Sequence, residues 1–322
     1  MPVISVVIPA FNAERTIGET LASVLNQTFT DFEVIVIDDG SQDSTLAIVQ
    51  SITDSHLQVF SYPNAGVAAS RNRGIFQAVG DFVAFLDADD LWTADKLSDQ
   101  LQALQTHPEA TIAYSWTDYI DETGQFLRPG MHVTANGNVH SRLLLSFFLE
   151  NGSNFLIKRE ALLRVGGFDE SLIGSEDWDL ALRLSVQDAF VAVPRPQVLY
   201  RIDGHAKNSI SSNLERQKLQ CLKVIEKAFA QAPTSLQSLK PQSIANIYKY
   251  LMYKALAGTP NRQDGWLAAQ YFYQLLIYNP AIVQQLRLMI STLLKIATAL
   301  IFGKWRVQKT SEHVSTKVIP TA

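Results

Sequence analysis

Three short runs, Val3 to Ile8, Val34 to Ile37 and Phe82 to Leu86, are almost wholly apolar, and they constrain the fold more than any other feature. Each is too short for a helix and too uniformly apolar for a strand with one wet face. Strands covered on both faces in a parallel sheet read this way. Helical patterns separate them. Glu14 to Gln27 carries Ile17, Leu21, Val24 and Leu25 on one stripe. Ser44 to Ile52 and Gly66 to Ala78 follow, with a short strand at Leu57 to Phe60 between them. This alternation predicts an α/β sheet with right-handed crossovers.

The third run drives straight into acids: Leu86-Asp87-Ala88-Asp89-Asp90. Open parallel sheets bind ligands at the carboxyl ends of their strands. Asp87 and Asp89 suit one hard cation, or a division of work between a cation and a sugar hydroxyl, because Mg²⁺ and Mn²⁺ prefer oxygen ligands. The same acids also suit a simpler role as caps of the following helix.

Past the acids the texture changes. Ala94 to Gln105 reads as a helix, Thr111 to Tyr119 as a strand, and Asp121 to Gly124 as a turn from which Gln125 to Leu127 pairs back. Arg128 to His140, with Pro129, Gly130 and Gly137, reads as a mobile loop. Asn154 to Ile157, Ala189 to Val193 and Gln197 to Arg201 read as strands, and Ser175 is placed to cap a helix containing Arg183. Beyond residue 212 four helices are predicted: Leu214 to Gln231, Ser243 to Leu256, Gly265 to Tyr278 and Ala281 to Phe302. The predicted organisation is therefore a sheet domain, 1–212, and a helical C-terminal region, 213–322.

Composition removes several classes of function. A net charge of -4 without a basic, aromatic-laced stripe argues against nucleic-acid binding. Cys221 is the single cysteine, which excludes a disulfide framework within the chain. The N-terminus has neither a basic segment nor a cleavage site, so a cytoplasmic protein is expected.

Further motifs surround the acids. Ser5-Val6-Val7-Ile8-Pro9-Ala10-Phe11-Asn12 is a strand ending in a Pro turn, and Val36-Ile37-Asp38-Asp39-Gly40-Ser41 a strand ending in acids. Asn64-Ala65-Gly66 precedes Ser70-Arg71-Asn72-Arg73-Gly74, and Gly166-Gly167-Phe168-Asp169-Glu170 leads into Ser175-Glu176-Asp177-Trp178-Asp179-Leu180. In this order and spacing, over residues 3 to 210, the chain resembles the family 2 glycosyltransferases. The resemblance implies the GT-A fold, a Rossmann-like, mixed but mostly parallel sheet flanked by helices, here with a C-terminal helical appendage. It implies an inverting transfer from a nucleotide-diphospho-sugar, expected to be a UDP-sugar, to a saccharide or lipid-linked acceptor in cell-surface glycan or glycolipid biosynthesis.

The roles carried over are these. Asp39, with Asp38 beside it, would accept the imide N–H of uracil, although an Asx turn closed by Gly40 and Ser41 explains the same acids. Pro9, Ala10 and Asn12 would contact the nucleotide, and Arg71 would line its site. Asp87 would meet ribose or sugar hydroxyls beside Ala88, while Asp89 and His205 would hold Mn²⁺ or Mg²⁺. Asp90 would serve as a cap or as support behind these acids. Asp177 is the expected general base, with Glu176 orienting substrate or raising the basicity of Asp177. Arg73 has no counterpart in the motif and reads as a solvated helix charge. Trp92 and Trp178 read as core residues more readily than as sugar-stacking platforms.

One departure bears on processivity. The Gln-x-x-Arg-Trp motif of processive synthases has its nearest approach at Gln284-Gln285-Leu286-Arg287-Leu288, with Leu for Trp, so non-processive transfer is expected. Met289 to Phe302 falls short of the ~20 residues of a membrane span and has Lys295 in its middle. Peripheral contact with the inner face of the membrane and a role in a bundle or homo-oligomer both fit it. Two other functions remain open at this stage. A sugar-nucleotide nucleotidyltransferase would want a Gly-rich, basic loop after the first strand, where Pro9 to Asn12 stands. A non-catalytic nucleotide-sugar-binding protein would tolerate loss of Asp89 or Asp177, yet both are present.

Overall fold

In the computed structural model, which describes residues 1–202, 213–257 and 261–303, the three apolar runs become neighbouring strands of a nine-stranded sheet. β1 (Ile4–Ala10) lies between β2 (Phe32–Asp38) and β4 (Phe82–Phe85), parallel to both, and β3 (Leu57–Ser61) runs parallel beside β2. Every residue of β1 and β2 is buried, as two-sided coverage requires. α1 (Ile17–Leu25), α2 (Thr45–Ser51) and α3 (Val67–Gln77) make the connections. Ile17, Leu21 and Val24 of the predicted stripe are fully enclosed.

After β4 the sheet becomes mixed. β8 (Leu156–Lys158) is antiparallel to both β4 and β6 (Ala110–Ile120), and β6 runs parallel to β9 (Ala189–Arg201). β5 (Leu91–Trp92) closes the far edge against β9, and β7 (Phe126–Pro129) folds back on β6. The order is β3-β2-β1-β4-β8-β6-β9-β5. Sequence patterning predicts two strands where β9 is one. Its ladder to β6 slips on both sides of Trp116, and the exposed Pro194 and Pro196 fall at that irregularity, where a missing N–H costs least.

The segment from Gly130 to Val139 is irregular, as predicted, but it is tied down. The Tyr114 hydroxyl accepts the Ala135 N–H at 2.7 Å, and His132 stacks on Trp116 while lying 2.7 Å from the Asp118 carboxylate. The remaining helices of this part are α4 (Lys96–Thr106), α5 (His140–Leu145), α6 (Arg159–Val165), α7 (Glu176–Ser185) and α8 (Leu214–Gln231).

The chain divides into two compact units, Met1–Ile247 and Tyr248–Ala322. The first contains the sheet and α8. The boundary falls inside α9 (Lys240–Ala255), and the second unit continues with α10 (Arg262–Tyr278) and α11 (Leu286–Phe302). The single helix predicted from Ala281 is instead a 3-10 turn, Pro280–Gln284, followed by α11. Gln285 leaves helical geometry at ψ 67°, its amide taken by the Ile282 carbonyl. Gly265 permits close contact between α10 and α11, since an added Cβ would lie 3.0 Å from that of Ala299. No helix among the described residues is long and apolar enough to cross a membrane.

Lys96, at the start of α4, is an unusual core residue. Its side chain is fully buried, its ammonium 2.9 Å from Gln100 Oε1 and 3.9 Å above the Trp92 ring. Burial pushes its pKa well below the ordinary lysine value of 10.5. The unfolded chain therefore binds the proton more tightly, and stability should rise with pH until that unfolded lysine titrates. The stability of wild type relative to Lys96→Met should thus increase as pH rises towards the unfolded lysine's value of 10.5, as read by thermal unfolding. A difference that stays flat as pH approaches that value would show that burial does not lower the Lys96 pKa.

Candidate active site

The sheet opens at the carboxyl end of β1. β4 pairs with β1 only as far as Phe85, and the last bond between them runs from the Leu86 N–H to the Val7 carbonyl. Pro9 falls just beyond. Its missing N–H would have faced β4, which has already left, so proline sits there without breaking the ladder. On the other side Ala10 still accepts the Asp39 N–H at 2.8 Å. Here the strand order reverses, and open α/β sheets bind ligands at such a crevice.

The acidic run after β4 is held from several directions. Thr16, just before α1, and Thr20 within it donate to the Ala88 carbonyl at 2.9 and 3.0 Å, which fixes the backbone between the two acids. The Asp87 N–H donates to Ser153 Oγ, and Ser153 donates to Asp90 at 2.6 Å. Asp90 is wholly buried. Burial and the neighbouring Asp89 and Asp87 push its pKa well above the carboxylate range, against the bonds from Ser153 and the Arg201 N–H. It supports the run from behind, one of the roles read from the sequence. The Arg201 guanidinium donates to the Asp89 carbonyl at 2.8 Å and to Glu19 at 2.8 Å. Asp89 is an exposed residue and the Asp87 side chain is partly exposed.

Arg71 joins this run to α7. It is 2% exposed, with one terminal nitrogen 2.5 Å from Asp87 and the other 2.7 Å from Glu176, and it lies 5.2 Å over the Phe168 ring. Burial works against its charge, but Asp87, Glu176 and Asp177 more than compensate and hold it protonated beyond the usual arginine range. Arg71, expected to line a nucleotide site, bridges two segments of the chain.

Its neighbours explain the rest of the motif. Asn72 accepts the Phe168 N–H at 2.8 Å and donates to its carbonyl at 3.0 Å. A Cβ on Gly74 would come within 2.2 Å of Val7 Cγ1, so only glycine lets α3 lie this close to β1. Gly167, at φ 68°, needs both the left-handed backbone and the space beside Asn72.

α7 begins at Glu176. Ser175 stands before it with φ 67°, strained for a residue with a Cβ. It does not cap the helix as its position predicts: it makes no side-chain cap bond, and its hydroxyl lies 3.4 Å from Cys221 Sγ. α8 steadies the same region. Lys227 reaches Asp169 and Asp179, both at 2.7 Å. Glu176 is buried, and its second oxygen, Oε2, has no hydrogen-bond partner among the described residues. Asp177 beside it keeps part of its surface open and accepts the Trp178 N–H at 2.8 Å. Burial and the Glu176 charge push its pKa up to about 7, although Arg71 opposes the shift. A carboxylate so tuned is a capable base near neutral pH. Trp92 and Trp178 are both core residues, their indole N–H groups bonded to the carbonyls of Ser153 and Leu143.

The acids after β2 are largely satisfied from within. Asp38 accepts from the Ser41 N–H and the Ser61 hydroxyl. Asp39 accepts from the N–H groups of Ala65 and Gly66 and from Arg73 at 3.1 Å. Arg73 is thus a counterion to Asp39 that sequence reading left as a solvated charge. Asn12, at φ 50°, links the ends of β1 and β2, accepting the Gln42 N–H at 2.8 Å. Pro9 and Ala10 end β1 and Asp38 ends β2, while Asn12, Asp39, Asp87, Ala88 and Asp89 follow β1, β2 and β4, which are adjacent in the sheet, and Arg71 links that edge to Glu176, beside Asp177. His205 lies outside the described residues. Three supports escaped the sequence reading. Ser153 and Arg201 lie in no motif, and Tyr200 is held protonated by burial and by Asp90, Asp89 and Asp87.

The donor set suits a hard divalent cation. Asp89, an exposed residue, and Asp87, a partly exposed one, place two carboxylates with one residue between them. Among the described residues no group of three acids, histidines or cysteines is arranged to hold a metal ion by itself. The remaining ligands would come from phosphate and water, the usual arrangement for Mg²⁺.

Comparison with known proteins agrees with this geometry. The family model described as "Glycosyltransferase like family 2" matches residues 5–255. The amylovoran biosynthesis glycosyltransferase AmsB of Erwinia amylovora is 34% identical over 210 residues, 62% of this chain and 69% of that one. The fold is shared with the Staphylococcus aureus TarS 1–349 fragment in complex with UDP-GlcNAc, at TM-score 0.57, 18% identity and coverage of 89% and 92%. It is shared too with a Pyrobaculum calidifontis mannosyltransferase in complex with GDP-Man and Mn²⁺, at TM-score 0.57, 20% identity and coverage of 94% and 87%. The chain spans about a third of the length of several other curated relatives that it matches.

If Arg71 is the bridge described, Arg71→Met should leave Asp87 and Glu176 as uncompensated carboxylates and cost ~3–5 kcal/mol in urea denaturation. Glu176→Gln, which keeps an acceptor for the guanidinium, should cost clearly less. Equal losses for the two variants would contradict the bridging role.

Proposed function

The chain belongs to the glycosyltransferase family 2-like proteins, and on that footing we propose that it is an inverting, metal-dependent, non-processive transferase. It moves a sugar from a nucleotide diphosphate, a UDP-sugar by our reading, to a hydroxyl in cell-surface glycan or glycolipid assembly. The observation that carries this is the Asp87–Arg71–Glu176 bridge, which ties a donor-side acid to the carboxylate pair containing a base tuned to about 7. AmsB, named for amylovoran biosynthesis, supports the polymer context, and neighbours of the same fold hold UDP-GlcNAc or GDP-Man with Mn²⁺.

In this reading the nucleobase lies over Pro9 and Ala10. Asp38 and Asp39 retain little acceptor capacity, enough for one imide N–H. Asp87 spends one oxygen on Arg71 and presents the other to a ribose or sugar hydroxyl. Asp89, aided by His205, would hold Mn²⁺ or Mg²⁺, which when bound supplies positive charge against the diphosphate leaving group. Asp177 takes the acceptor hydroxyl's proton as that oxygen bonds to the anomeric carbon and the bond to the diphosphate breaks. With one base and no second nucleophile assigned among the described residues, transfer in this reading is a single displacement with inversion. Glu176 keeps its free oxygen beside Asp177, where its charge raises the basicity of the base.

Asp177→Asn should preserve donor binding and reduce transfer by ~10²–10⁴-fold, because an amide cannot take the proton. For the wild type, kcat/KM should fall as pH drops through about 7, since the protonated carboxyl is inactive and its folded pKa is raised to about 7. A loss smaller than about tenfold, or a profile flat from pH 5 to 8, would place the base elsewhere. Asp89→Ala should abolish the enhancement of UDP binding by Mn²⁺ in calorimetry, and an unchanged enhancement would remove Asp89 from the metal site.

A further inference from the structure

α11 has three faces. Thr292, Ile296 and Ala299 are buried. Leu286, Ile290, Leu293, Leu294, Ala297 and Ile301 are exposed, and at 100° per residue they form one stripe about 100° wide. Beside it runs a polar stripe, Arg287, Ser291, Lys295 and Thr298, also exposed. On α10 the large aromatic residues Trp266 and Tyr273 face solvent as well, at 58% and 63%. A soluble monomer rarely presents an apolar stripe like that of α11 without a partner.

The charge of the unit says which partner. Residues 248–322 contain nine Lys and Arg against two Asp and Glu, whereas residues 1–247 contain 18 against 29. A second copy applied through this face would bring two strongly positive units together, which opposes pairing. An anionic lipid surface satisfies both features. Its acyl boundary accepts the apolar stripe, its headgroups attract the cations, and exposed Trp and Tyr suit the interface. α11 is about 25 Å long, too short to cross the ~30 Å hydrocarbon core, so it would lie along the surface.

We propose that the exposed face of α11 binds an anionic lipid bilayer as an interfacial helix, with Arg287 and Lys295 at the headgroups and Leu286, Ile290 and Leu294 in the acyl boundary. This is independent of the sugar-transfer reading and does not need it to hold.

The test is flotation of the full chain with phosphatidylcholine vesicles, with and without phosphatidylglycerol, alongside light scattering for oligomeric state. Wild type should float at least about tenfold better with the anionic vesicles and lose much of that preference at ~0.5 M salt. The Leu286→Ser/Ile290→Ser/Leu294→Ser variant changes only exposed positions, so its circular dichroism should match wild type while it stays unbound. Arg287→Gln/Lys295→Gln should reduce only the anionic preference. Failure of wild type to float at low salt overturns the proposal, as does undiminished flotation of the triple serine variant. A wild-type dimer that the triple variant loses, without flotation, would assign the face to a contact between copies.

Discussion

A single buried guanidinium couples the two halves of the site. Arg71 carries a permanent charge into a place with almost no water, a position that is costly unless opposite charges meet it. Asp87 and Glu176 do so, from positions 16 and 105 residues away along the chain. The planar fork holds each at a set distance and direction, so the acidic end of β4 and the start of α7 are held to one another through it. Removing any one of the three leaves charge in a medium that cannot solvate it. Gly152 belongs to this arrangement, because a Cβ there would come within 2.8 Å of the guanidinium.

Around that centre the backbone is fixed before any ligand arrives. The Ala88 carbonyl is bonded by two threonines, the Asp89 carbonyl by Arg201, and the Asp87 amide by Ser153. Side chains are thus left to act while main-chain groups do the holding. Such preorganisation spares the reorganisation a flexible site would undergo at the moment of reaction. The acids after β2 show the opposite economy. Most of the acceptor positions on Asp38 and Asp39 are used internally, so they contribute as much to the shape of the crevice as to recognition.

The second unit obeys different constraints. Its helices bury small and aromatic residues such as Gly265, Ala268, Tyr271, Phe272 and Ala299, yet expose long aliphatic ones on α11. Together with the surplus of cations after residue 247, this makes it a surface suited to an interface rather than to catalysis. The first unit, rich in acids, holds all the described residues to which the chemistry is assigned.

Much was legible from the chain alone, because hydrophobic periodicity is local. The runs at Val3, Val34 and Phe82 became β1, β2 and β4, the bounds of α8 came out at Leu214 and Gln231, and the ordered motifs brought the acids to one sheet edge. What tertiary structure decided is where pairing reaches across sequence. The union of β9 through Pro194 and Pro196 depended on a slip in its partner β6, and the start of the last helix after Gln285 on a turn that periodicity does not register. Arg73 reads as a solvated charge until the fold places Asp39 beside it, and only the fold shows the two carboxylates that close around Arg71. Composition and period report what a residue prefers; which charge meets it, and how far water is kept away, are properties only of the folded chain.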